Sequence, residues 1–269
     1  MPLPTPNKNE SNENFIDRCM GNPTMNEEYP DESQRRAVCE SQWERKDMIK
    51  AKGTSAEVLI YDDIGEGWFG GISAKAFAED IKKLGNIKKI DVRINSYGGS
   101  VFDGLAIYNT LKKHSAEVSV AIDGIAASIA SIIAMAGDTI SIAENGFLMI
   151  HDPWSVAMGT AEDLRSEADV MDKVRDSLLD TYMNKATVSR QEISDMMSNE
   201  TWLTAKEAAN TGLVDTLVEE TKLAACGNKE ILKQFHKIPD SLKQQEKPKL
   251  NMAKINAATM QQTLRKLKI

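Results

Sequence analysis

Histidine and cysteine are scarce in this chain of 269 residues, which contains three of each. The cysteines, Cys19, Cys39 and Cys226, include no Cys-x-x-Cys pair, so the sequence suggests neither a disulfide framework nor a zinc site. Paired glycines at positions 98 and 99 are not followed by Gly-Lys-Ser/Thr, which excludes a nucleotide-binding P-loop there. We therefore predict neither a metal ion nor a cofactor.

Targeting and membrane signals are missing as well. The first ten residues, MPLPTPNKNE, are neither basic nor apolar, so we expect no secretory signal. The longest apolar stretch, from Val118 to Gly137, is interrupted by Asp123 and Gly124 and leaves too short a run to span a bilayer. These absences predict a cytoplasmic protein that does not contact a membrane.

The distribution of charge divides the chain. The net charge of −7 speaks against nonspecific binding of nucleic acid by the whole protein. From Lys222 to Ile269, however, 11 Lys and Arg face 3 Asp and Glu. We define residues 226–269 as a basic, Lys- and Gln-rich tail, which is either solvated or docks on an acidic partner.

Residues 1–52 form a polar lead segment that is poor in aliphatic side chains. Its composition predicts a disordered or weakly folded region, in which FIDRCM and QRRAVCESQW are two candidate short helices. The remaining part, residues 53–225, is long enough for one folded domain.

Strand and helix patterns alternate in this central part. Segments with strand patterns are EVLIYDD, IKKIDVRINS, AEVSVAID and LVDTLVEE. Segments with helix patterns are SAKAFAEDIKKLG, VFDGLAIYNTLKKH, GIAASIASIIAMAG, residues 160–185, residues 190–198 and TAKEAANTG. DTISIAENGFLMIHD has the pattern of a hairpin that turns at Asn-Gly. The alternation predicts an α/β fold with mainly parallel strands.

Two serines interrupt the apolar helix pattern GIAASIASIIAMAG. Ser128 falls in the first turn, where unpaired N–H groups and the helix dipole favour a developing negative charge. Ser131 lies almost one turn deeper and is predicted to pack. The glycine pair Gly98 and Gly99 lies between a strand and a helix, where bare N–H groups can face a ligand. Each feature alone also fits a purely structural role.

A hydroxyl nucleophile needs a base, and the chain offers few. His114 ends a charged helix and His236 lies in the tail, so both are expected to be solvated. His151 ends the apolar strand FLMIHD at a sheet rim. It is therefore the one candidate base, or else a buried structural histidine.

Four motifs, INSYGGSV, GIAASIAS, MIHDP and WLTAKEAANTGLVDTLV, occur in the order and spacing of one family. On these motifs the chain from Glu57 to Glu220 resembles the Clp protease proteolytic subunit. The resemblance implies a crotonase/ClpP-like α/β fold of repeated β-β-α units, with a protruding handle helix region after the histidine. It implies that Ser128 is the nucleophile of a serine endopeptidase and that His151, 23 residues later, takes its proton.

The resemblance also assigns the groups around this pair. The N–H groups of Gly99 and Ile129 would form the oxyanion hole, and Gly98 would permit the turn. The strand before the glycines and the loop after them would bind an extended peptide through its main chain.

The third triad residue departs from the family pattern. Where the family usually has aspartate, ETWLTA places Glu200, whose extra methylene requires a compensating shift of the backbone. Asp195 is the fallback candidate. Asp152 is a poor one, because adjacent strand residues point to opposite faces.

Glu200, Trp154, Trp202 and the polar lead segment resemble the phage and prophage branch of the family, which contains head-maturation proteases. The resemblance implies a homo-oligomer of heptameric rings that cleaves protein or peptide substrates, with capsid or scaffold proteins, or an AAA+ unfoldase, as partners.

Four alternatives remain open at this stage. A housekeeping Clp proteolytic subunit working with an unfoldase would show the same motifs. A crotonase-type enzyme acting on acyl-CoA would not need Ser128 and His151 together. A serine–lysine peptidase would need a lysine near the nucleophile, and none lies between Lys113 and Lys173. A non-catalytic assembly subunit would have an unreactive Ser128.

Overall fold

The computed structural model describes residues 4, 6, 7, 10–44, 48–65, 71–219 and 235–239. The chain divides into two units, Met1–His236 and Lys237–Ile269, and residues 237–239 are the described part of the second. Most of the predicted tail, Cys226 included, lies outside the described residues. The predicted boundaries of the central domain stay a prediction.

The described residues form nine helices and eight strands. The helices are α1 (Asn12–Met20), α2 (Pro23–Glu28), α3 (Glu32–Glu44), α4 (Ala74–Lys83), α5 (Val101–Lys112), α6 (Ile129–Ala134), α7 (Ala161–Met183), α8 (Arg190–Ser198) and α9 (Ala205–Asn210). The strands are β1 (Ile49–Lys52), β2 (Ser55–Ile60), β3 (Lys89–Ser96), β4 (Glu117–Ala127), β5 (Thr139–Ala143), β6 (Phe147–Ile150), β7 (Thr201–Thr204) and β8 (Thr216–Val218).

The strands form one mixed sheet. Six of them lie side by side in the order β1-β2-β3-β4-β5-β8. β1 is antiparallel to β2, and the other neighbours in this row are parallel. β6 pairs in parallel with the end of β4, and β7 pairs antiparallel with β6. The α/β class predicted from the sequence is confirmed, and the architecture is consistent with a ClpP-like fold.

The core lies between the sheet and the helices packed against it. Along β2, every second side chain is buried, which is the pattern of a strand with one face on the core. Helix α6 is buried on all sides, and it packs against α5 and β4. This burial holds the start of α6 in a fixed position beside the end of β4.

The predicted hairpin around Asn145–Gly146 is wrong. β5 runs parallel to β4 beside Ser119–Ile122, and β6 runs parallel to β4 beside Ile125–Ala127. β5 and β6 therefore run in the same direction and pair with successive parts of β4. An Asn-Gly pair is a local signal, and the pairing of both strands with the 11-residue β4 overrides it.

The long apolar helix predicted over residues 124–137 is also partly wrong. β4 continues to Ala127 because its last residues pair with β6, and α6 covers only Ile129–Ala134. Within the described ranges, no helix is both long and apolar enough to cross a membrane.

The lead segment is more ordered than its composition predicts. Residues 12–44 contain α1, α2 and α3, and the two candidate short helices correspond to α1 and α3. Phe15, Met25 and both nearby cysteines form a small buried cluster. A disulfide joins Cys19 to Cys39, so the expectation that the cysteines form no disulfide is wrong for this pair.

Helix α7 follows His151 after an extended segment, in the place of the predicted handle. Thr160 and Asp163 form a capping box that fixes its first turn. Its buried side chains all come from the last turns, between Leu178 and Tyr182. The first half of the helix therefore stands away from the core, and contact with the core begins at Val174.

Candidate active site

Ser128 lies at the turn between β4 and α6. Its backbone has φ 54° and ψ −130°, a conformation that non-glycine residues rarely adopt. The Ser128 N–H donates to the Met149 carbonyl at 3.0 Å, which ties the turn to β6. The pairing of Ala127 with Met149 then brings the residue that follows β6, His151, beside the serine.

The predicted pair of Ser128 and His151 is in contact. The serine Oγ and the histidine Nε2 are 2.7 Å apart. Burial lowers the pKa of His151 below its usual value, against the opposing charges of Glu200 and Asp152. The imidazole is therefore neutral at neutral pH and can accept the serine proton when Nδ1 carries its own hydrogen.

Ser131 is buried as expected, but it also makes hydrogen bonds. Its hydroxyl donates to the Ser128 carbonyl at 2.5 Å and lies 2.7 Å from the hydroxyl of Tyr182. Tyr182 belongs to α7 and is fully buried. The backbone of the nucleophile is thus held from the core side as well as from β6.

The glycine pair faces the serine turn. Gly98 and Gly99 have φ 97° and 144°, and a Cβ on Gly98 would lie 2.7 Å from the Ala127 carbonyl and 3.2 Å from the Ile129 nitrogen. A Cβ on Gly99 would lie 2.2 Å from the Ile64 carbonyl. Only glycine fits either position without a shift of the backbone.

Two N–H groups remain available beside Ser128. In the described part of the chain, the N–H groups of Gly99 and Ile129 donate to no protein atom. Gly99 is exposed, whereas Ile129 is buried at the start of α6. The two groups can serve as donors to an oxyanion formed at Ser128.

Asp62 and Asp63 lie where the chain passes this glycine loop. Ile64, the residue after Asp63, pairs with Gly99 through a β-bridge, so the two aspartates lie near the glycine pair. Burial, with a further contribution from the charge of Asp62, raises the pKa of Asp63 to about 7. Its Oδ1 is buried without a hydrogen-bond partner among the described residues.

Glu200 is the carboxylate with the largest electrostatic effect on His151. It has φ 47°, in the left-handed region that non-glycine residues rarely adopt. The fallback candidate Asp195 and the poor candidate Asp152 both have other partners. Asp152 pairs with Arg175 at 2.7 Å, and Asp195 accepts from Gln191 at 2.8 Å on the exposed face of α8.

Sequence reasoning missed two aromatic residues in the site. The Phe235 ring meets the His151 ring edge to face, with centroids 5.5 Å apart, and it meets the Trp202 ring at 5.6 Å. The Trp202 indole donates to Glu200 Oε1 at 3.2 Å. In the sequence, Trp202 stands out only as a difference from the family pattern, and no pattern in the tail indicates that Phe235 reaches the site.

Comparisons with known proteins identify the family of the chain. Residues 47–221 match the family model described as Clp protease. The ATP-dependent Clp protease proteolytic subunit of Deinococcus radiodurans is 32% identical over 137 residues, which are 50% of this chain and 67% of that protein. The subunits of the same name from Bacteroides fragilis and Bacteroides thetaiotaomicron are 33% and 32% identical over 133 residues, 49% of this chain in each case. Those matches cover 64% and 60% of the relatives, so the chain spans about two thirds of their length.

Proposed function

This protein belongs to the Clp protease family, whose members are serine endopeptidases, and on that premise we propose that Ser128 is its nucleophile and His151 its general base. The 2.7 Å contact between Ser128 Oγ and His151 Nε2 carries the proposal. Oγ bonds to the peptide carbonyl carbon while its proton moves to Nε2. The C–N bond then breaks, and the amine leaves with that proton. Water repeats the sequence on the acyl-enzyme and frees the serine.

The tetrahedral intermediate of each step carries a negative oxygen. We propose that the N–H groups of Gly99 and Ile129 donate to it, with Gly98 allowing the close approach of the two chain segments. In support, neither N–H group has an acceptor among the described residues, and a Cβ on Gly98 would lie 3.2 Å from the Ile129 nitrogen. Donors already in place stabilise charge without reorganising during the reaction.

A fluorophosphonate probe tests the pair directly, because an activated serine displaces fluoride from phosphorus. We expect one adduct on Ser128 in the wild type, located by mass spectrometry, and its loss in Ser128→Ala. His151→Ala should slow labelling by at least about a thousandfold. Labelling that persists in both variants would place the reactive group elsewhere. A well-folded wild type without any adduct would support a non-catalytic assembly subunit.

Glu200 is proposed as the third member of the triad, which orients His151 and stabilises its charged form. Its electrostatic effect on His151 supports this role, as does the engagement of Asp152 by Arg175. We expect Glu200→Ala to reduce the rate of Ser128 labelling by about 10²- to 10⁴-fold. Asp195→Asn is the matched control and should label at the wild-type rate. The reverse ranking of the two variants would assign the role to Asp195.

For the substrate, we propose capsid or scaffold proteins that are cleaved during phage or prophage head maturation. Three helices precede the family match, which begins at residue 47, and a basic tail follows it. Glu200 and Trp202 add two further departures from the housekeeping pattern. A second candidate is a subunit that works with an AAA+ unfoldase, which the names of the relatives favour, since they are ATP-dependent subunits.

Dependence on an unfoldase separates these two functions. A maturation protease should cleave unfolded casein, and should cleave it no faster when an AAA+ unfoldase and ATP are added. An unfoldase-dependent subunit should degrade a folded, tagged protein only with both present. ATP-dependent degradation of the folded protein would therefore overturn the maturation proposal and leave the catalytic one intact.

We also propose that the chain assembles into heptameric rings in the cytoplasm. A closed chamber admits only threaded or unfolded chains, which protects other proteins from an enzyme of broad specificity. Exposed apolar side chains on the segment after His151 support the assembly: Trp154, Val156, Met158 and Leu164.

A further inference from the structure

Phe235 lies beyond the family match, which ends at residue 221, yet it packs on the candidate base. Its ring is nearly perpendicular to that of His151, at 88°, and to that of Trp202, at 82°. The residue is only 7% exposed. An aromatic ring in this edge-to-face geometry fixes the tilt of its neighbour and excludes water from it.

The next residue contacts the candidate triad carboxylate. The backbone N–H of His236 donates to Glu200 Oε2 at 2.8 Å, while the Trp202 indole donates to Oε1. Each carboxylate oxygen therefore has its own donor. Two donors on one carboxylate limit its rotation.

These contacts leave the reaction side of the site intact. Ser128 keeps its 2.7 Å contact with His151, and Gly99 remains exposed. Phe235 therefore contacts the base without taking the place of the nucleophile, so the geometry differs from that of an inhibitory peptide bound at the serine.

We propose that Phe235 and the backbone N–H of His236 are positioning groups of this active site: the ring orients and desolvates His151, and the N–H holds Glu200. The inference rests on the proposed catalytic function. It gives a chain segment outside the family match a role in the reaction.

The proposal predicts that the pKa of His151 depends on the Phe235 ring. Burial is the main cause that lowers the pKa of this histidine, and the carboxylates of Glu200 and Asp152 act in the opposite direction. If the Phe235 ring is removed, water reaches the imidazole while both carboxylates remain. The pKa of His151 then rises, and the neutral base forms only at higher pH.

The test uses the full-length protein and the second-order rate of Ser128 labelling by a fluorophosphonate, followed by intact mass between pH 5 and 9. We expect Phe235→Ala to lower the plateau rate by about tenfold and to move the acid limb of the profile to higher pH. Phe235→Leu, which keeps the apolar volume, should restore the limb toward its wild-type position. If the alanine variant does not fold, the labelling rate and pH profile of Phe235→Leu are measured in its place.

The adjacent position supplies a matched pair. His236→Ala keeps the N–H that donates to Glu200 and removes only an exposed imidazole, so it is the reference for a variant without that donor. His236→Pro removes the donor to Glu200 and should lower the rate. Equal rates for these two variants would overturn the role of the N–H.

The remaining outcomes separate this proposal from the catalytic one. Faster labelling in Phe235→Ala would show an inhibitory cover, and an unchanged profile would show simple packing. Either result overturns the inference while the labelled wild type upholds the catalytic proposal. A wild type without a Ser128 adduct contradicts the catalytic proposal itself.

Discussion

Ser128 is held at three of its atoms. Its N–H binds the Met149 carbonyl, its carbonyl accepts from Ser131, and its Oγ faces His151. The sequence predicts that the dipole of a long helix favours negative charge at Ser128, but α6 has only six residues. Because a dipole that short is weak, the proposed activation of Ser128 would depend mainly on the neutral, buried imidazole of His151.

Asp63 is a second residue whose surroundings determine its charge. Its pKa rises from 3.8 in the unfolded chain to about 7 in the fold. Between these two pH values the native state therefore keeps a proton that the unfolded chain has released. This group's contribution to stability is complete below about pH 4 and is lost as the pH rises through 7. The neutral variant Asp63→Asn should escape that loss.

We therefore expect Asp63→Asn to be more stable than the wild type at pH 8, by roughly 1 kcal/mol, since partial exposure screens the effect. At pH 4 the two should be alike. Urea denaturation at both values measures the difference. Asp169→Asn, which changes an exposed carboxyl on α7, is the control and should follow the wild type at both. If the free energy of unfolding of Asp63→Asn falls between pH 4 and pH 8 as much as that of the wild type, the prediction is wrong.

The individual site residues differ in how far the sequence could predict them. Ser128 and His151 stand in compact motifs, so the resemblance located a pair that the structure brings into contact. Glu200 was identified from its position alone, and its positive φ depends on the surrounding fold. Phe235 reaches the site through a contact distant in sequence, within a tail whose composition suggested either a solvated segment or docking on an acidic partner. No local pattern could have revealed it.

At the level of elements, local signals predicted helices well. The bounds of α8 agree with the predicted range, because Ser189 and Glu192 form a capping box at its start. The signals failed where pairing between distant strands decides the conformation. The last residues of β4 were assigned to a helix, and β5 and β6 to a hairpin, because neither pattern shows that both strands pair with β4.

The disulfide in the lead segment gives a prediction at the same level. Cys19 and Cys39 are 20 positions apart, and the cross-link between α1 and α3 should stabilise this small cluster by about 3 kcal/mol. Cys39→Ser should therefore be cleaved faster by trypsin within residues 12–44, as should reduced and alkylated wild type. The rate of Ser128 labelling should not change.

Cys226→Ser is the matched control and should be cleaved like the oxidised wild type. Thiol alkylation in lysates also tests the proposed cytoplasmic location, because disulfides are rare in the cytoplasm. An alkylated Cys19 in protein taken directly from the cytoplasm would mean that the bond forms only after release. Equal trypsin sensitivity with and without the bond would contradict its stabilising role.

At the scale of the whole molecule, the segment after His151 exposes several large apolar side chains to solvent. Met158 is 94% exposed and Val156 is 82% exposed, on the extended chain that leads into α7. Side chains of this kind gain most when a second subunit covers them. The same segment begins just after the proposed general base, so an interface there would also influence the geometry of His151.

We expect the wild type to have a mass of seven or fourteen subunits by size-exclusion chromatography with light scattering. Val156→Asp and Met158→Asp should each shift the population toward smaller species, because a buried carboxylate without a partner opposes association. Lys75→Asp places the same group on the exposed face of α4 and should leave the mass unchanged. A monomeric wild type would contradict the ring. If the two variants keep the wild-type mass, the rings form through another surface, and the segment from Trp154 to Met158 is free to bind substrate.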